Sequence, residues 1–230
     1  MAVKRADLKR RLESLIYRNG GDLFGVADLE PAREFIIAQG RETLGKFPRA
    51  VSIGIRLSDA IIDQHKLGEK REHSLYRHHI DRVVNPALDL LAQKIQHELQ
   101  TDGFKVFPIP ASLPNYETMS GIFSHKLAAH LAGLGWIGKN CLLITPDFGP
   151  RVRLVTVLTD APLPSETPLN KKCGECQICV DACPAKAFTG IEFQAKDPVE
   201  ARFNTRACDK YLRPHPCGWC VVKCPVGHHM

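Results

Sequence analysis

Apolar positions along the first 160 residues switch between a helical and an alternating period, which predicts helices and strands in mixed order. Leu8, Leu12, Leu15 and Ile16 recur at helical spacing within 3–18, and Asn19-Gly20-Gly21 ends that helix. LFGVADL at 23–29 reads as a buried strand, and AREFIIAQG at 32–40 as a short helix before the break Lys46-Phe47-Pro48. In AVSIGIRL at 50–57, Val51, Ile53 and Ile55 alternate as a half-buried strand does. The longest helical pattern covers 73–100, where Val84, Leu88, Leu91, Ile95 and Leu99 share a face. Pro86 falls inside it, so a kinked or split helix is expected.

Farther along, FKVFPIPAS at 104–112 begins as a strand and ends in proline-rich loop. Residues 113–124 show no period, the mark of a loop that carries function on a rigid scaffold. HKLAAHLAGL at 125–134 predicts a helix entering a glycine turn. CLLI at 141–144 is expected as a central strand, and RVRLVTVLTD at 151–160 as another, with Val152, Leu154, Thr156 and Leu158 on one face. APLPSETPLN at 161–170 has three prolines and reads as a linker.

Beyond that linker the chemistry changes. Cys173, Cys176, Cys179 and Cys183 follow C-x2-C-x2-C-x3-C, with Pro184 next; Cys217, Cys220 and Cys224 follow C-x2-C-x3-C, with Pro225 next. Cys208 lies between. The first run is the bacterial ferredoxin signature, whose fourth cysteine ligates the other cluster. It predicts one [4Fe–4S] cluster on Cys173, Cys176, Cys179 and Cys224, and a second on Cys183, Cys208, Cys217 and Cys220. Gly174 and Gly218 suit the ligand turns, because glycine tolerates positive φ. Zinc ribbons also use C-x2-C pairs, but rarely with a third cysteine and then C-P. A disulfide scaffold belongs to small secreted domains, and 3–18 is charged throughout rather than a secretory core. Cys141, in CLLI, reads as a buried structural thiol.

Composition adds limits. A chain of 230 residues with 44% hydrophobic content is long enough for one or two globular domains. No run reaches the ~18 apolar residues of a membrane span, so no membrane partner is expected. Thiols and clusters persist in reducing compartments, so a cytoplasmic location is expected. The formal charge is +6 with every cysteine neutral. Eight ligand thiolates and two cationic cluster cores bring it to roughly +2, an ordinary soluble balance. KRADLKRR at 4–11 is then a solvated helix face.

AGLGWIGKNCLLI at 132–144, VLTDAPL at 157–163 and the two cysteine runs together resemble the epoxyqueuosine reductase family, itself similar to the reductive dehalogenases. DLFGVADL at 22–29, LYRHHIDRVV at 75–84 and ACDKYL at 207–212 add weaker matches, the last supporting Cys208 as a ligand. The resemblance implies an α+β chain: a nitroreductase-like, cofactor-binding domain over 1–164, then a double-cluster ferredoxin-like domain over 165–230. It implies a corrinoid (cobalamin-like) cofactor, with flavin as the alternative that nitroreductase-like cores also hold. Gly133, Gly135 and Gly138 would let backbone approach the macrocycle, Lys139 and Asn140 would hold its polar groups, and Trp136 would pack on the ring.

Two departures from the family pattern bear on function. Met119 stands where an ungapped count puts the family's catalytic aspartate, and methionine donates no proton. Tyr76, Tyr116, Glu117 and His125 are the candidate proton donors in its place. The sequence stops soon after the second cysteine run, so the family's tRNA-associated C-terminal repeats are not expected and tRNA is an unexpected partner. His78 and His79 are adjacent and do not share a helix face, which argues against a metal pair. His228 and His229 read as a tail. The resulting expectation is an iron–sulfur oxidoreductase that passes electrons to a corrinoid, which reduces a small organic substrate. A ferredoxin or flavodoxin would be the donor. The rival is a non-catalytic carrier or reductive activator that delivers electrons to a partner protein's cofactor.

Overall fold

The structure is a computed structural model that describes residues 2–38, 42–65, 70–113, 121–195, 197–212 and 217–227. In chain order its elements begin with helix α1 (Ala2–Arg18), strand β1 (Leu23–Asp28), helix α2 (Arg33–Ala38) and strand β2 (Arg49–Arg56). Helices α3 (Asp59–His65), α4 (Lys70–His78) and α5 (Asn85–Thr101) follow, then strand β3 (Val106–Ile109) and helix α6 (His125–Leu131). Short strands β4 (Trp136–Ile137) and β5 (Leu143–Ile144) precede the long β6 (Val152–Thr159). Short helices α7 (Ile178–Asp181), α8 (Thr205–Leu212) and α9 (Trp219–Val222) carry cysteines. This is the mixture of helix and sheet that the apolar periods predict.

The chain forms two compact units, each assembled from separate segments. The first comprises 1–56, 84–134 and 153–169. It contains a sheet of order β1-β2-β6-β3, in which β1 runs antiparallel to β2 and β3 antiparallel to β6. Val51, Ser52 and Ile53 are all fully buried, as are Val155, Thr156, Val157 and Leu158. The central strands are therefore covered on both faces, and the alternation read along 50–57 and 151–160 does not separate a wet face from a dry one. On α1, Leu8, Leu12 and Ile16 are buried; α1 packs on α5, whose Leu88, Leu91, Ile95 and Leu99 are buried as well. Ser124 caps α6 by accepting from the Leu127 N–H. The helix approaches β1 so closely that a Cβ on Gly25 would lie 2.7 Å from the Ala132 carbonyl.

The expected break at Pro86 takes a specific form. Residues His79–Val84 wind as a π-helix, and α5 restarts with Pro86 in its first turn, where a missing N–H costs no helix bond. The segment 161–169, expected as a linker, instead packs into the first unit. Ala161 and Leu163 are buried, Glu166 N–H donates to the Val26 carbonyl, and the Glu166 carboxylate accepts from Val26 N–H at 2.7 Å. Lys9 pairs with the same carboxylate.

The second unit comprises 57–83, 135–152 and 170–230. CLLI is not a central strand: among the described residues β5 pairs only with β4, in register Trp136 with Ile144 and Ile137 with Leu143. The backbone at 148–149 crosses that at 226–227 so tightly that a Cβ on Gly149 would lie 1.9 Å from the Val226 carbonyl. Arg151, 2% exposed, is held by Asp59 at 2.9 Å and Asp63 at 3.0 Å, both on α3. Phe188 stacks on Phe203 at 5.1 Å. No helix among the described residues is long and apolar enough to cross a membrane.

Candidate metal centre

All eight motif cysteines lie in the second unit, and none of the chain's nine cysteines is in a disulfide. The first run folds as a turn leading into α7. Cys176 N–H donates to the Cys173 carbonyl at 3.3 Å, and Gly174 takes φ +61° with open space where a side chain would be. Cys179 sits on α7 and Cys183 just past it, where Ala187 N–H donates to its sulfur at 3.4 Å. Cys208 lies on α8 and Cys220 on α9. Gly218, expected to need positive φ, has φ 178°. That is extended backbone, which any residue adopts, so this turn does not require glycine.

The thiols form two neighbourhoods that touch at Cys179 and Cys220. Burial pushes Cys179 up to about 11, with further upward pressure from Cys224, Cys173 and Cys176. Cys224 is raised, chiefly by burial; Cys173 and Cys176 add to the rise, and Arg151 opposes it. Burial pushes Cys220 up to about 12, reinforced by Cys217, Cys208, Cys179 and Cys183. Cys208 is raised to about 11 by burial and then by Cys217, Cys183 and Asp209. Cys224 thus keeps company with the first run, and Cys183 with the second. Crowded, buried thiols resist ionisation until a cation joins them, which is the service a cationic cluster core performs. The donor set therefore fits iron–sulfur ligation. Among the described residues, no group of three or more His, Cys, Asp or Glu side chains is placed to hold a single metal ion.

The GLGWIGKN segment serves the protein's own backbone. Lys139, 5% exposed, donates from Nζ to the Gly174 carbonyl at 2.6 Å, inside the Cys173–Cys176 turn. Asn140 donates from Nδ2 to the Cys220 carbonyl at 3.0 Å, and its Oδ1 accepts from Leu142 N–H. A Cβ on Gly135 would lie 2.3 Å from the Ile144 carbonyl, and one on Gly138 2.8 Å from the Ile144 side chain. Gly133, in the first unit, has φ +70°, with the Thr167 carbonyl 2.8 Å from where its Cβ would be. These glycines admit neighbouring chain, not an open cradle. Trp136 is buried with Ile144 and Cys224, with Cys173 packed against them.

Of the proton-donor candidates, Tyr116 and Glu117 lie outside the described residues, as does Met119. Tyr76 is buried on α4 in the second unit. His125 lies in the first unit with both ring nitrogens engaged, Nδ1 with Thr156 Oγ1 at 2.8 Å and Nε2 with the Pro110 carbonyl at 3.0 Å. A carbonyl only accepts, so Nε2 carries the proton and Nδ1 accepts from the hydroxyl. Burial lowers His125 to about 4, and Arg153 acts in the same direction. Burial favours the neutral imidazole, in which both contacts are met. His79 accepts from the Ser58 N–H at 3.2 Å, and burial lowers it too. The sequence reading missed Arg151 and Arg202. Arg202 is 6% exposed, lies 4.8 Å from the Phe193 ring centroid and donates to Cys141 Sγ at 3.6 Å. Asp59 and Asp63, one helical turn apart, were the only signal for Arg151.

No protein-family model matches the chain. A curated epoxyqueuosine reductase of Bacillus anthracis is 34% identical over 130 residues, covering 51% of this chain and 34% of that protein. The match thus spans about a third of the relative's length. A crystal structure of epoxyqueuosine reductase with an epoxyqueuosine-modified tRNA stem loop aligns over 96% of this chain and 66% of its own, with TM-score 0.59 and 20% identity. A reductive dehalogenase structure described as suggesting a mechanism for B12-dependent dehalogenation aligns over 93% of this chain and 31% of its own, with TM-score 0.69 and 21% identity. By sequence this chain is a homologue of the epoxyqueuosine reductases, and by fold a neighbour of both them and the reductive dehalogenases.

Proposed function

We propose that this chain is an iron–sulfur oxidoreductase holding two [4Fe–4S] clusters, one on Cys173, Cys176, Cys179 and Cys224 and the other on Cys183, Cys208, Cys217 and Cys220. The clusters supply one-electron transfer. The observation that supports this reading is that Cys224 acts on Cys179 and is acted on by Cys173 and Cys176, while Cys183 acts on Cys208 and on Cys220, on which Cys179 also bears. On this reading residues 165–230 are the ferredoxin-like part, and 1–164 a nitroreductase-like part that addresses the electron acceptor. The relatives' names support a reductase; action in the cytoplasm and a ferredoxin or flavodoxin as electron donor are part of the same proposal.

A corrinoid that reduces a small organic substrate is the acceptor that a B12-dependent neighbour supports. The residues of GLGWIGKN do not fit the holding role expected of them, since Lys139 and Asn140 are bonded to backbone carbonyls and the glycines meet neighbouring chain. This favours a second reading, delivery of electrons to a partner protein's cofactor. Anaerobic reconstitution should give about eight irons per chain, as two cubanes require. Titration of the loaded protein with cob(II)alamin, followed by EPR, then separates the readings. A base-off cobalt signal supports a resident corrinoid; an unchanged cobalt signal beside intact cluster signals supports the carrier. Absence of bound iron would overturn the proposal.

A further inference from the structure

One buried donor beside the cysteines is the indole of Trp136. Trp136 is 7% exposed, and its indole Nε1–H has no hydrogen-bond partner among the described residues. The ring is enclosed by Ile144 and Cys224, with Leu142, Cys173 and Val226 packed against them. Among those neighbours, only the sulfurs of Cys173 and Cys224 are side-chain atoms able to accept a hydrogen bond. Both belong to the first set of four thiols. An orphaned buried donor in a native protein calls for an explanation, and a bound group that accepts from it is a standard one.

The position is also fixed. Trp136 is paired with Ile144 in the β4–β5 hairpin, and Gly135 leaves no room for a side chain against the Ile144 carbonyl. Lys171 Nζ lies 5.9 Å from the ring centroid, which places positive charge over the indole. Lys139, bonded to Gly174, adds a second cation at the Cys173–Cys176 turn. Hydrogen bonds to sulfur and local charge are two of the levers that set a cluster's potential.

We propose that the Trp136 indole N–H donates a hydrogen bond to sulfur at the cluster held by Cys173, Cys176, Cys179 and Cys224, and that it raises the potential of that cluster alone. This rests on the two-cluster reading above. Trp136 is then a tuning residue rather than a corrinoid platform.

The test is an EPR-monitored potentiometric titration of the full reconstituted chain, wild type against Trp136→Phe. Phenylalanine keeps an apolar ring and drops the N–H. The same pair in a Cys208→Ala background, which disables the second site, assigns the signals. The first cluster's midpoint should fall by about tenfold in its one-electron equilibrium, ~59 mV, while the second stays in place. Thermal melting of the iron-free protein should be unchanged or raised by the substitution, because an orphaned donor has been removed. Two unmoved midpoints, or two that move together, overturn the inference. Wild type that takes up no iron overturns the cluster reading itself. If Trp136→Phe fails to load, 15N-indole labelling in the Cys208→Ala background replaces it. Coupling of 15N to the reduced cluster supports the bond, and its absence overturns it.

Discussion

Lys139 and His125 show how differently two polar residues of one short stretch are used. Lys139 buries its ammonium and gives it to the Gly174 carbonyl, so a charged donor braces the turn that aims Cys173 and Cys176. Lys139→Met keeps the aliphatic stem and leaves that carbonyl without its donor. Loss of a hydrogen bond from a charged group costs about 2 kcal/mol, which urea denaturation of the loaded protein should read. His125 is held neutral between Thr156 and Pro110, with burial lowering it to about 4. The unfolded chain binds a proton near pH 6.5 and the folded chain resists until about 4, so the unfolded state holds more protons in that window. His125 therefore contributes its full share of stability above pH 6.5 and loses it as pH falls toward 4. The loss approaches ~3 kcal/mol. A His125→Asn variant should show a shallower decline of stability across that window, measured by urea midpoints at each pH.

At the scale of elements, the crossing of 148–149 with 226–227 sets where Cys224 sits. Gly149 has φ +54° and Gly227 φ +79°, and backbone fills the space that either Cβ would need. Gly149→Ala must push the Cys224-Pro225-Val226 segment away, so it should cost more than ~2 kcal/mol. It should also lower iron content toward half, since only the first set contains Cys224; iron analysis after reconstitution checks this. The sequence made much of the fold legible, because α1, β1, β2, α5 and β6 carry long apolar patterns that local period reveals. It misled where burial depends on distant chain. CLLI has too few residues to distinguish a central strand from a two-residue hairpin arm. The proline-rich stretch at 161–169 looks loose, yet Glu166 clasps both backbone groups of Val26, 140 positions away. The cysteine spacing points to the proposed iron–sulfur chemistry, whereas the polar bonds of Lys139 and Asn140 to the cysteine loops leave no trace in spacing.

At the scale of the whole molecule, the proposed ligand sets turn on the exchange of Cys183 and Cys224 between the two runs. Sequence order alone would group Cys173, Cys176, Cys179 and Cys183. The thiol neighbourhoods instead put Cys183 near Cys208, Cys217 and Cys220. The two groupings predict opposite outcomes for double substitutions. Cys183→Ala with Cys208→Ala strikes one site twice under the exchanged arrangement, so about half the iron should remain and one cluster signal should persist. Under the sequential arrangement the same pair strikes both sites, and little iron should remain. Cys183→Ala with Cys176→Ala reverses the contrast: nearly all iron is lost in the exchanged arrangement, and about half is kept in the sequential one. Because each pair serves as the other's control, general misfolding from cysteine loss cannot mimic the pattern. Iron and sulfide content of the two double variants, reconstituted side by side, therefore tests the topology of the metal centre independently of what the electrons reduce.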